Sequence, residues 1–292
     1  MSLSAVRERD AQALAGALDL PVRREVSAQV RERWAAASAL VHGIESWRGG
    51  VRYGDGPGEA LDVYPSPRAN APVLVFIPGD GWREVDTGLH GFVAPSFTAE
   101  GALVVVPGHA PCADVGLQRV VLQVARALAW VHRHAALYGG NARRIVVAGH
   151  GSGGHLAAMM LSCRWKEIDR RLPAQLVHGA LAISGVFDLA RLRRAGFRAD
   201  ELRLTSRSVG QLSPAFFPAP SRPLLAVVGA QEDDAARRQS QLLREQWGRA
   251  AVPVCETIPF ADHDTLLHGL ADPRGRVHAL ARGLLGLKGA DA

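Results

Sequence analysis

Apolar residues recur along this chain in two rhythms. Between residues 4 and 42 they stand at helical spacing among arginine and glutamate: Val6, Leu14 and Leu18, then Val30, Trp34, Ala37 and Val41, with Pro21 between the two sets. Proline lacks an N–H and clashes with the preceding turn, so the pattern predicts two amphipathic helices forming a cap over residues 1–45. Further on the rhythm changes. Val51-Arg52-Tyr53 and Ala60-Leu61-Asp62-Val63-Tyr64 flank Gly54-Asp55-Gly56-Pro57-Gly58, which predicts two short antiparallel strands around a tight turn. Continuous apolar runs follow at 73–77, 102–106, 145–148, 180–184, 224–228 and 252–258, each too short for a helix and suited to strands buried on both faces of a parallel sheet. Helical patterns at 117–137 and 234–247 lie between them. Alternating β and α elements predict an α/β fold, a doubly wound, mostly parallel sheet with an antiparallel N-terminal hairpin, in one compact domain over residues 46–287. Residues 188–217 lack clean periodicity where such folds insert helices over the site, which predicts a lid; the tail 288–292 is expected to fray.

Bulk properties narrow the partners. With 292 residues, 48% of them hydrophobic, the chain is long enough for one large core. No run of eighteen apolar residues occurs, and the first residues lack a positive stretch followed by an apolar one, so the expectation is a cytoplasmic protein with no membrane span. The net charge is +6, but thirty-two of the thirty-four basic residues are arginine and they are scattered, without interleaved aromatics or a nucleic-acid motif. Nucleic-acid binding is therefore not expected. Cys112, Cys163 and Cys255 have neither metal-ligand spacing nor an even count, and are read as free thiols.

The segment RIVVAGHGSGGHLAAMML reads as strand, glycine-dense turn and helix. In a nucleophile elbow, small residues let strand and helix approach, and the central residue is held in a strained conformation that aims its side chain at substrate. Around it stand VRYGDGPGEALDVYPS, GDGWREVD, FVAPSF, ALAWVHRHAALYGGNARRIVVAGH, ISGVFDLARL and RRQSQLLREQW. From about Val30 to Leu284 the chain closely resembles the α/β-hydrolase type of kynurenine formamidase (arylformamidase), within the broader esterase and lipase group, whose elbow reads Gly-His-Ser-Ala-Gly-Gly-His. The resemblance implies the α/β-hydrolase fold. It also assigns positions: the family's serine falls on Gly151, its acid on Gln231 and its histidine on His263. The family's His-Gly-Gly-x-Trp oxyanion loop appears as Pro78-Gly79-Asp80-Gly81-Trp82.

These departures bear on chemistry. Glycine tolerates the turn but cannot attack a carbonyl. Ser152, the next residue, is expected to start the helix and lend its N–H to the oxyanion hole; its hydroxyl as nucleophile is the alternative. Gln231 can orient a histidine but cannot offset an imidazolium charge, and the adjacent Glu232 or Asp233 would have to reach instead. Asp80 would oppose negative charge developing on a carbonyl oxygen. By the resemblance, Gly79, Asp80, Gly81, Trp82, His109, His150 and His155 border a pocket for a small, aromatic ligand; no histidine spacing supports a metal, and no cofactor is expected. The amphipathic N-terminal helices would serve a homodimer. Three functions remain open: a ligand-binding protein with a degenerate triad; a cofactor-free lyase, isomerase or cyclase with His263 as general base; and a hydrolase of aryl formamides or small esters using Ser152 or a water activated by His263.

Overall fold

A computed structural model describes residues 27–43, 46–83, 85–194, 196 and 198–287. Eight strands form one sheet in the order β1-β2-β4-β3-β5-β6-β7-β8. The hairpin strands β1 (Arg48–Arg52) and β2 (Ala60–Tyr64) pair antiparallel, and β2 pairs antiparallel with β4 (Leu103–Pro107). The remaining pairings are parallel, through β3 (Ala71–Ile77), β5 (Gly140–His150), β6 (Val177–Ile183), β7 (Leu224–Gly229) and β8 (Val254–Ile258).

The apolar runs of β3 to β7 serve both faces, whereas β8, expected from 252–258 to be buried on both, lies at the sheet edge and is only partly buried because no further strand covers it. Val73, Val75 and Ile77 of β3 pack into one core with α2 (Leu117–His134), α3 (Ser152–Leu161) and α4 (Asp234–Ala251). Leu74 and Phe76 pack into the other, with α1 (Ala28–His42), α5 (His263–Ala271) and α6 (Arg276–Leu285). Strand side chains alternate between faces, so an unbroken apolar run is what two covered faces demand. Burying each such side chain contributes about 1.5–3 kcal/mol.

Of the two cap helices, the second is α1, with Trp34 and Val41 buried as its apolar spacing predicts; the first lies outside the described residues, as does the tail 288–292. The aperiodic segment folds into helical turns at Ala190–Arg194, Ala199–Leu202, Ser206–Leu212 and Pro214–Phe216. No helix among the described residues is long and apolar enough to cross a membrane. Cys112, Cys163 and Cys255 are free thiols, and burial pushes that of Cys112 up to about 11.

Candidate active site

Parallel strands bring their carboxyl ends to one edge of a sheet, where α/β proteins bind ligands. Here that edge carries the loop after β3, the elbow after β5, Ser184 after β6, the turn after β7 and the loop from β8 into α5.

The elbow is packed as its glycines require. A methyl on Gly149 would lie 2.0 Å from the carbonyl oxygen of Gly153, and one on Gly153 would lie 2.0 Å from that of Ile77. Gly151 sits at φ 62°, ψ −121°, a conformation glycine adopts readily and other residues only under strain. Its N–H donates to Ile183 O at 2.8 Å, and its carbonyl accepts from Gly154 N at 2.9 Å. The backbone of a nucleophile elbow is therefore present, with no side chain at its apex.

Ser152 begins α3. Its buried hydroxyl accepts the Trp82 N–H at 3.1 Å, which ties the elbow to the loop after β3. Trp82 itself has φ 60°, is buried, and donates from its indole N–H to His155 Nδ1 at 3.2 Å. His155 Nε2 in turn donates to Leu212 O at 2.8 Å, because a carbonyl only accepts. Both nitrogens are thus engaged in a fully buried site, and burial pushes the His155 pKa down to about 4. His155 thereby ties the helical turn ending at Leu212 to the loop after β3. His109 is likewise buried, with Nδ1 donating to Ala110 O at 2.8 Å. His109, His150 and His155, expected at a pocket border, are all buried, and their partners tell them apart. Trp82 packs in the core.

His150 differs. Its ring stacks on His263 at 3.9 Å between centroids, and its Nε2 donates to the His263 carbonyl at 2.8 Å. The residue before Gly151 thereby holds the first residue of α5, and with it the His263 ring, beside the elbow.

The acid also differs from the positional expectation. His263 Nδ1 lies 3.1 Å from Glu232 Oε2, with 21% and 8% of the two side chains exposed. The bond of Gln231 to this region is made by its backbone N–H, to Ala261 O at 2.9 Å. Glu232, not Gln231, supplies the partner of the histidine: the turn after β7 carries the carboxylate one residue later. Its other oxygen accepts the Gly229 N–H at 2.9 Å and the Ser184 hydroxyl. Three donors converge on one buried carboxylate, satisfying a charge that would otherwise be costly to bury. A carboxylate accepts the Nδ1 proton, which leaves Nε2 of His263 as the basic nitrogen. Ser184, at φ 52° and buried, escaped sequence reasoning, since nothing in Ile183-Ser184-Gly185 marks a hydroxyl aimed at a residue 48 positions away.

The loop after β3 is braced from two sides. Gly79 lies against the elbow, where a methyl would stand 1.8 Å from His150 O. Asp80 pairs with Arg31 of α1 at 2.7 Å, and Arg198 of the segment 188–217 donates to Gly81 O while pairing with Glu201. Beside Asp80, residues Arg31, Trp34, Asp86 and His90 enclose a recess of about 40 Å³, room for a water or two and too small for an aromatic ring. Arg31 and Arg198 carry no motif signal; only their contacts disclose them.

Residues 61–246, well over half of the chain, match the BD-FAE family model. The chain belongs to the BD-FAE family. It is also 29% identical over 255 residues to a kynurenine formamidase of Danio rerio, covering 82% of this chain and 84% of that protein. Among solved structures it is similar to one described as a thioesterase from Silicibacter sp., with a TM-score of 0.77 and 23% identity over 93% of this chain and 97% of the other. Esterase B of Lactobacillus rhamnosis gives a TM-score of 0.67 at 18% identity, covering 96% of both chains. The fold is that of α/β-hydrolases, and the chain is a member of their esterase- and formamidase-like group.

Proposed function

We propose that this BD-FAE member acts on a small aromatic amide- or ester-like metabolite with His263 as general base toward water, without a covalent serine intermediate. The observation that carries this reading is the Glu232–His263 pair, 3.1 Å apart beside an elbow whose apex is glycine. With no side chain on Gly151, and with the Ser152 hydroxyl taken up by the Trp82 N–H, this reading draws the nucleophile from solvent. A water held by His263 Nε2 would lose a proton as its oxygen adds to the substrate carbonyl, and the amine or alcohol would leave with that proton. General-base assistance of this kind contributes about 10²–10⁴-fold. Arg31 offsets part of the Asp80 charge, which would otherwise oppose the developing oxyanion. The formamidase named among the relatives supports an aryl formamide as substrate class.

A second reading, binding without turnover, is favoured by a carboxylate standing in the oxyanion loop at Asp80. The two separate on one experiment: the unmodified protein and His263→Ala are incubated with N-formylkynurenine and with p-nitrophenyl acetate. Turnover without a burst, lowered at least a hundredfold in His263→Ala, supports general-base hydrolysis. Saturable binding of an unchanged ligand supports binding alone. A product other than acid plus amine or alcohol assigns the same base to a lyase or isomerase step.

A further inference from the structure

The arginines that look scattered along the chain do not stay scattered when it folds. At the amino ends of β5 and β6, opposite the elbow, a pocket of about 430 Å³ is bordered by His132, Arg143, Lys166, Arg171, His178 and Gln175. Eight residues of extended β5 backbone separate Arg143 from Gly151, about 26 Å at the usual rise per residue. The basic groups come from five places: the end of α2, β5, the turn Trp165–Ile168, the loop after it and β6.

No carboxylate borders this pocket among the described residues. The carboxylates nearest in sequence are paired elsewhere or on the rim: Glu167, beside Lys166, pairs with Arg164 at 2.9 Å, and Asp169 pairs with Arg171 at 2.9 Å and with Arg133 at 3.3 Å. Lys166 donates to the Arg170 carbonyl, a neutral partner, and the Arg143 side chain has no ion pair among the described residues. His132 donates from Nδ1 to Ala142 O. Arg222, holding the Gln175 amide oxygen at 3.0 Å, adds a further charge behind the rim.

We propose that this pocket binds a compact polyanion, a phosphorylated small molecule, through Arg143 and Lys166, beside Arg171, whose guanidinium Asp169 holds through two bonds. Convergent cations around a concavity of this size fit a ligand bearing two or more negative charges, since guanidinium groups match phosphate oxygens in pairs while lysine adds a point charge. The local field has a second signature. The His178 pKa is lowered, first by burial and then by Arg222 and His132. An anion seated among them reverses the charge contributions and raises it.

The test is calorimetric titration of the full chain with inorganic pyrophosphate at fixed ionic strength, alongside histidine ring NMR. The unmodified protein is compared with the double variant Arg143→Gln/Lys166→Gln, and with Arg207→Gln/Arg249→Gln, which loses the same charge from exposed positions elsewhere. The expected result is saturable one-to-one binding, weakened at least tenfold in the first variant and less than threefold in the second, with the His178 pKa rising on binding. Non-saturable uptake, equal weakening in both variants, or an unmoved His178 overturns the proposal. All exchanged residues are exposed, so both variants are expected to fold; unchanged melting temperatures check it.

Discussion

Replacing Gly151 by serine tests the geometry of this site most directly, because it places a hydroxyl at the apex of the elbow beside the Glu232–His263 pair and alters nothing else. The backbone there stands at φ 62°, ψ −121°, so a side chain should cost about 1–3 kcal/mol in strain. For a domain of this size that lowers the melting temperature by roughly 2–12 °C. The gain lies in chemistry. In subtilisin, adding the nucleophile to an otherwise complete site is worth about a millionfold in turnover. An oxyanion hole impaired by Asp80 subtracts about 10²–10³, the measured cost of losing one donor. Gly151→Ser alone should therefore raise p-nitrophenyl acetate hydrolysis by roughly a thousandfold or more, with a pre-steady-state burst of nitrophenol from acetyl-enzyme. No change at Gln231 is needed, because Glu232 already holds His263 Nδ1. A folded variant with no burst, or one that gains activity only when Gln231→Asp is added, would refute the assignment.

The other expectations probe the supports of that site. In the Gly151→Ser background, Glu232→Gln should lower turnover by about 10⁴, the cost of a histidine held in the wrong tautomer, whereas Gln231→Ala should change it only a few-fold. Ser152→Ala orphans the buried Trp82 N–H and should cost about 1–3 kcal/mol in urea unfolding, while leaving the turnover of the unmodified protein within tenfold; abolished turnover would make Ser152 the nucleophile. His90 and His155 have their pKa pushed by burial from 6.5 down to about 4, so the unfolded chain takes up protons that the folded one refuses. Their contribution to stability is complete above about pH 6.5. It is lost as the pH falls toward 4, by up to about 1.4 kcal/mol per pH unit for each histidine. Unfolding at pH 7, 6 and 5 reads this slope, to which His109 and His178, also lowered by burial, add; His155→Gln should reduce it by up to about 1.4 kcal/mol per pH unit.

Much of the architecture was legible from residue order because it depends on local pattern. Apolar runs without alternation specify strands covered on both faces, and Val73–Ile77 divides its side chains between two cores accordingly. The glycines around Gly151 announce a close approach of strand and helix, and the positional match marked His263 for its place beside the elbow. What residue order could not decide was which side chains meet across long separations. Glu232 and Gln231 are equally polar neighbours at the end of a strand, and only the path of the turn after β7 selects the carboxylate that reaches His263. His109, His150 and His155 look alike in the sequence and all are buried; only their partners separate them, the Ala110 carbonyl for the first, Trp82 and Leu212 for the third, and the His263 ring and carbonyl for the second. Arg31 on Asp80, Arg198 on Gly81 and the cations gathered around the far pocket follow the same rule. Hydrophobic periodicity is a property of neighbours in sequence, whereas a charge acts on whatever the fold brings within a few ångströms. Residue order specifies the frame and the glycine at the apex of the elbow; long-range packing selects the acid, the histidines and the arginines gathered around it.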